Sequence, residues 1–269
     1  MAFRGASADA VAALTDELES GVAGDGVAAT VADDLFAAAG TLRSEAALRR
    51  FATDASIPAE AKSGLVGEVF AGKVHEVTQR LLVSAVARRW VAGRDLADAL
   101  EHLGVVAYVK AAGSETERLA DELFTFAQAV KDNPELRDAL ADPARAGADK
   151  RRLIENLLGA QALPVTVALA GQSISGSHRT VGVALTEYQK VVADVQSQGV
   201  ATVRVARPLG DAELDRLASA LTAQYGRPVH LNQLVDASVI GGIRVEIGDD
   251  VIDGTVSSRL DDARRRLVG

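Results

Sequence analysis

The sequence has no cysteine, which excludes a disulfide framework, a thiolate metal site and a cysteine nucleophile, and suits a reducing compartment. Aromatic residues make up only 4% of it, with one tryptophan, so its cores must be built from aliphatic and small side chains. No stretch approaches the roughly 18–20 consecutive apolar residues that span a bilayer, and the opening MAFRGASADA lacks the apolar run of a secretion signal. A cytosolic protein is expected, or one that reaches a membrane only through a partner. Basic charge is in deficit as well. With 29 Lys and Arg against 37 Asp and Glu, the net charge of -8 argues against a general nucleic-acid binder, whose affinity comes from clustered cations. Arg264, Arg265 and Arg266 are the one dense basic run and read as the solvated C-terminal end of a helix, where cations oppose the dipole.

What the chain does have is alanine, apolar residues to 48%, and 269 residues, enough for more than one core of closely packed helices. Up to about Ser197 the periodicity is helical: Val31, Leu35, Ala39 and Leu42 share a face, as do Leu81, Ala85 and Val86, and Leu119, Leu123, Phe126 and Val130. Breakers at Gly24-Asp25-Gly26, Ile57-Pro58, Asn133-Pro134 and Asp142-Pro143 mark short loops, as in an antiparallel bundle. The stretch Val31–Val69 aligns without a gap with the stretch beginning at Leu119, at an offset of 88 residues. Ala32, Asp33, Leu35, Phe36, Ala39, Leu48, Arg49, Asp54, Lys62 and Leu65 then meet identical residues, which points to duplication. Two related helical units, residues 1–104 and 105–198, are expected, joined by a helix around Asp95 to Ala112.

After Gln198-Gly199 the period changes to that of strands. Val203 and Val205 alternate with Arg204, and Gly210-Asp211 opens a helix striped by Leu214, Leu217, Leu221 and Tyr225. Strands at Val229 and Leu231, at Ile243, Val245 and Ile247, and at Val251-Ile252 follow, the last two joined across Gly248-Asp249-Asp250. Val256, Leu260, Ala263 and Leu267 form a closing amphipathic helix. The fold class expected is mainly α, a duplicated N-terminal helical bundle followed by a small α+β domain over residues 199–269.

The motifs of catalysis are missing. There is no phosphate-binding G-x-x-x-x-G-K-[ST] and no G-x-G-x-x-G, since GVAGDG at Gly21–Gly26 has the wrong spacing. His75, His102, His178 and His230 are scattered and none has a ligand partner at helical spacing, so no metal or cofactor is expected. Ser173, Ser175 and His178 in GQSISGSH lack the G-x-S-x-G elbow and read as a polar helix end. Asp249, Asp250 and Asp253 fail as a calcium loop because Val251 stands where an oxygen ligand is needed; a hairpin bend leading to a helix start explains them.

The segment from Val203 to Leu267 resembles the C-terminal domain of the delta subunit of bacterial F-type ATP synthase, the family of the mitochondrial oligomycin-sensitivity-conferring protein. The matching elements are Pro208-Leu209, Gly226-Arg227 before Val229 and Leu231, Val235-Asp236, Ile240-Gly241-Gly242, Gly248-Asp249, and Val251-Ile252-Asp253-Gly254-x-Val256 leading to Arg259-Leu260. Gly241, Gly242, Asp253, Gly254 and Arg259 are the structural core of that motif, the glycines allowing a bend before a strand. Asp54, Ile57-Pro58, Lys62, Leu65, Val69-Phe70 and LLVSAVARRWVAGRDL are similar to later helices of the family's six-helix domain. Family members usually carry one such domain; the repeat accounts for the excess, and long forms of this kind are expected in high-GC Gram-positive bacteria.

The resemblance implies a non-catalytic stator subunit of the peripheral stalk, on the cytoplasmic face of the membrane and held there by partners. Its helical domain would grip N-terminal helices of the alpha subunit, and its C-terminal domain the end of the b-subunit helices. The alpha-binding groove is expected on the first unit, between a first helix with Val11, Leu14 and Leu18 and a fifth with Val77, Leu81, Val86 and Trp90. Two other classes fit the same sequence. An independent helical adaptor for amphipathic peptides would show no dependence on ATP synthase, and an enzyme would have GQSISGSH as its only candidate.

Overall fold

The computed structural model describes residues 3–22, 26–248 and 250–256. The chain forms two compact units, Met1–Val192 and Ala193–Gly269. The mainly α class read from the sequence is the one formed. Eleven helices precede the first strand among the described residues: α1 (Ala6–Gly21), α2 (Val27–Ser44), α3 (Ala46–Thr53), α4 (Ala59–Phe70), α5 (Glu76–Ala87), α6 (Asp95–Ala112), α7 (Thr116–Asp132), α8 (Pro134–Ala141), α9 (Gly147–Leu158), α10 (Pro164–Gln172) and α11 (Val181–Val195).

The middle of the first unit is α6. Twelve of its 18 residues are buried, among them Leu96, Leu100, Leu103, Val106 and Tyr108. A helix apolar around its circumference must be covered around its circumference, and α1, α2, α7 and α10 all pack against it. Gly104 lets α2 come close: a Cβ there would lie 2.9 Å from the Phe36 ring, which stacks on Tyr108 at a centroid distance of 5.6 Å. One buried carboxylate interrupts this apolar helix. Glu101 is ion-paired to Arg43, accepts the Tyr188 hydroxyl at 2.9 Å and accepts the Ser177 N–H at 2.8 Å. Three donors offset the cost of burying its charge, and they bind α2, α6 and α11 into one network.

The offset of 88 residues recurs in the helix boundaries. Moving α3 and α4 by that offset lands them residue for residue on α8 and α9, while α2 falls on α7, α5 on the start of α10, and α1 on α6. Side-chain caps repeat as well. Asp34 accepts the His75 N–H at 2.7 Å and the Thr78 hydroxyl at 3.0 Å at the start of α5. Glu122 accepts the Leu163 N–H at 2.8 Å and the Thr166 hydroxyl at 2.5 Å at the start of α10. Likewise the Asp54 carboxylate accepts the Ser56 N–H at 2.8 Å and that of Asp142 the Ala144 N–H at 2.8 Å, each fixing the loop before the next helix.

The second unit is a four-stranded sheet with one helix on it. The strands are β1 (Gly199–Val205), β2 (Val229–Val235), β3 (Ile243–Ile247) and β4 (Asp250–Asp253), in the order β2-β1-β3-β4. β1 and β2 are parallel, with Val203 opposite Gln233; β1–β3 and β3–β4 are antiparallel. A parallel pair needs a crossover, supplied by α12 (Asp211–Tyr225), whose N-terminus is fixed by the Glu213 carboxylate accepting the Gly210 N–H at 3.0 Å. Ala201, Val203, Val205, Val245, Ile247 and Leu221 form the core of this unit, the alternation of β1 placing its odd-numbered residues inside. Val256 is helical; the rest of the expected closing helix, including Leu260, Ala263, Leu267 and the arginine run, lies outside the described residues, as does Asp249.

Candidate functional site

The first unit has an open recess of about 450 Å³ between α1 and α5, lined by Asp16, Glu17, Ser20 and Gly21 from α1 and by Val77, Arg80 and Leu81 from α5. Gly21 lets α5 come close to α1: a Cβ there would lie 2.7 Å from Val77 Cγ1. The two helices are pinned along one edge, Glu17 accepting the Ser84 hydroxyl at 3.0 Å and pairing with Arg88 at 2.5 Å. At the far end, the buried Ser7 donates to Asp95 at 2.7 Å and accepts the Val91 N–H at 2.9 Å, fastening the start of α1 to the loop before α6.

Of the apolar residues expected to form the groove, Val11, Leu14, Leu18, Val77, Leu81 and Val86 are buried and fill the core beneath it, with Val77 and Leu81 also reaching its floor. Trp90 is half-buried and its indole N–H donates to the Ala85 carbonyl at 2.9 Å. The surface a ligand would meet is therefore edged by polar groups that an apolar-stripe reading passes over. Asp16 and Ser20 stand four residues apart on one face of α1, a spacing visible in the sequence.

In the second unit, the glycine pair packs against the turn after β4. Gly242 has φ of +82°, and a Cβ on it would lie 2.4 Å from the Gly254 carbonyl oxygen and 2.9 Å from Thr255 Cα. Gly241 needs no such conformation; its Cβ would meet only the Val256 side chain, at 3.3 Å. Backbone bonds from Gly254 N–H to the Ile243 carbonyl and from Val256 N–H to the Gly241 carbonyl, both 2.9 Å, hold the two segments together. Asp253 accepts the Thr255 hydroxyl at 2.7 Å and the Thr255 N–H at 3.0 Å, which holds its carboxyl below the usual carboxylate range. Arg259 lies outside the described residues. Around this turn Ile240 is 78% exposed, and Val251, Ile252 and Val256 are exposed beside it.

The residues weighed for catalysis are not brought into reacting geometry. The Ser173 hydroxyl donates to the Ala170 carbonyl at 2.6 Å, that of Ser175 accepts from Arg151 at 3.0 Å, and the His178 ring stands edge-on to Tyr188. Among the described residues no group of three His, Cys, Asp or Glu could hold a metal ion, and no helix is long and apolar enough to cross a membrane.

The fold defines a class: a mainly α protein with a small mixed-sheet unit. The family described as ATP synthase delta (OSCP) subunit matches residues 105–267. The ATP synthase subunit delta of a Nocardioides species is 58% identical over 99% of this chain and 98% of its own length. Those of Kineococcus radiotolerans and Streptomyces coelicolor are 42% and 39% identical, covering 98% and 99% of this chain and 98% of each relative. The chain belongs to the ATP synthase delta (OSCP) subunit family, and is a component of the peripheral stalk of F-type ATP synthase. A chain in the mitochondrial ATP synthase hexamer of Toxoplasma gondii is similar over 61% of this chain and 97% of its own length, at 18% identity and a TM-score of 0.34.

Proposed function

We propose that the chain is a non-catalytic clamp on the cytoplasmic face of the membrane. In this reading the first unit holds an N-terminal helix of the alpha subunit, and the second unit the C-terminal helices of the b subunit. The observation that carries the first assignment is the α1–α5 recess, with Val77 and Leu81 on its floor and Asp16 and Glu17 on its rim. An amphipathic helix with apolar residues at every third or fourth position is complementary to that floor, and a Lys or Arg on it to Asp16, since Glu17 is paired with Arg88 and Arg80 lines the same recess. The second assignment is supported by the exposed Ile240, Val251, Ile252 and Val256. We further read residues 1–104 and 105–198 as duplicated helical domains that share α6, with residues 199–269 as the third domain. The coincidence of helix ends and capping bonds at one offset supports this.

The family match to residues 105–267 favours a second reading, in which the later copy meets alpha. A photo-crosslinking residue at Arg80 on α5, or at the matching Ala168 on α10, placed in the chain within assembled ATP synthase, separates the two. Crosslinks to alpha from position 80 support the first copy, and crosslinks from position 168 alone reject it. Crosslinks to alpha from neither would remove the groove reading, and with it the assignment of the helical unit to alpha.

A further inference from the structure

The second helical stretch contains a cavity of about 690 Å³ among α7, α8, α9, the segment 173–180 and the first turn of α11. Four cations line it, Lys131, Arg137, Lys150 and Arg179, against one carboxylate, Asp138, in a chain with net charge -8. Asp138 lies 3.4 Å from Arg137, which leaves the other three uncompensated. Lys150 is only 9% exposed, and it makes no hydrogen bond or ion pair among the described residues. Its stem is buried, while its ammonium is accessible from the cavity. Beside it the buried Gln128 Oε1 also lacks a partner, and a flip of that amide would present an N–H instead. The first turn of α11 lines the same space through Val181, Gly182 and Val183; the Val183 N–H donates to the Thr180 hydroxyl at 3.3 Å, which leaves those of Val181 and Gly182 without an intrahelical acceptor.

The first helical stretch shows what the same positions do without a cavity. Lys62, the counterpart of Lys150, donates to the carbonyls of Asp54 at 3.2 Å and Ala52 at 3.5 Å. Arg43, the counterpart of Lys131, is paired with Asp98 and Glu101. The positions of His178 and Arg179 are held there by Trp90 and Val91. Asp95, Asp98 and Glu101 correspond to Val183, Thr186 and Gln189, so the second stretch lacks three carboxylates and keeps its cations.

We propose that the cavity in the second stretch binds a phosphate group. Convergent Lys and Arg side chains with the N–H groups of Val181 and Gly182 fit the several acceptor oxygens and double charge of a phosphate, and the unpaired Lys150 supplies a contact from a side chain that is mostly buried. The group is carried either by a soluble phosphate compound or by the headgroup of an anionic lipid.

Titration calorimetry of the full chain with inorganic pyrophosphate at low salt tests this, with hydrogen–deuterium exchange to locate the site. Protection is expected in peptides covering residues 127–141 and 173–186. Arg179→Ala, at an exposed position, and Lys150→Met should each weaken binding by about tenfold or more, the usual worth of one charge-assisted contact. Arg152→Ala, a solvent-exposed cation that does not line the cavity, should change it by less than about twofold. Circular dichroism checks that Lys150→Met is folded, and Lys131→Ala with Arg179→Ala gives the same test on exposed positions alone. Phosphatidylglycerol vesicles distinguish the sources: cosedimentation that pyrophosphate competes away assigns the phosphate to a lipid, and pyrophosphate binding without cosedimentation to a soluble compound. Pyrophosphate binding that survives the double substitution overturns the proposal. So does binding of a glutamate-rich peptide with no binding of pyrophosphate, which would make the cavity a protein-docking site.

Discussion

Three glycines of the second unit separate two physical effects that usually occur together, and replacing each with alanine tests the motif at Gly241-Gly242. Gly248 has φ of +56° with nothing within 4 Å of a Cβ, so Gly248→Ala should show the left-handed backbone penalty alone, about 1 kcal/mol. Gly241→Ala has only the 3.3 Å approach to the Val256 side chain, which can rotate, and should stay within about 0.5 kcal/mol of the parent. Gly242→Ala combines φ of +82° with a Cβ driven to 2.4 Å from the Gly254 carbonyl oxygen. That oxygen is backbone. It can retreat only by loosening the bonds from Gly254 to Ile243 and from Val256 to Gly241, each worth about 1 kcal/mol net. Strain and lost bonds together predict a loss of about 3–4 kcal/mol, a large share of a small unit's stability. Urea denaturation of the full chain reads this, with hydrogen exchange of β1 and β3 peptides reporting on the second unit. Fluorescence of the single tryptophan, Trp90, reports on the first. If Gly242→Ala shifts the β3 midpoint no further than Gly248→Ala, the close approach to Gly254 is not a constraint and the argument fails.

Glu101→Ala leaves Arg43 without its buried partner and removes the acceptor of Tyr188 and Ser177, and should destabilise the first unit by about 3–5 kcal/mol in thermal unfolding. Asp34→Ala and Glu122→Ala each remove a side-chain cap of matching geometry and should cost about 1–2 kcal/mol apiece by the same assay; a neutral Glu122→Ala would mean that the second cap does not bear on stability. Burial and hydrogen bonds to Asp33 and Glu101 raise the hydroxyl pKa of Tyr108 and Tyr188 above the usual tyrosine value near 10. Because the folded values are raised, the stability these groups contribute is intact below about pH 10 and is lost as pH climbs above it. Absorbance at alkaline pH should therefore show their ionisation only in step with loss of helix, and early ionisation of all three tyrosines would contradict this.

Much of the architecture was legible in the chain because it is carried by local patterns. Apolar residues such as Val31, Leu35 and Leu42 set the helix faces, the turn chemistry of Asp54 and Asp142 repeats at the same offset, and the alternation through Val203 and Val205 fixes which side of β1 is buried. Those signals depend on neighbours within a turn or a strand, so composition and spacing suffice to read them. The spaced motif from Pro208 to Val256 also placed the chain in its family. What sequence could not decide is which apolar face is covered, and by what. Leu14, Leu18 and Leu81 have the residue types of a binding groove, yet they lie beneath it because α6 and its neighbours close over them. Gly241 and Gly242 are identical letters, and only the fold puts the Gly254 carbonyl against one of them. Lys62 and Lys150 stand 88 residues apart on α4 and α9, but the first is held by two carbonyls and the second opens on a cavity. Pairings between residues far apart in the chain depend on how helices cross, and that is settled by packing the whole unit at once.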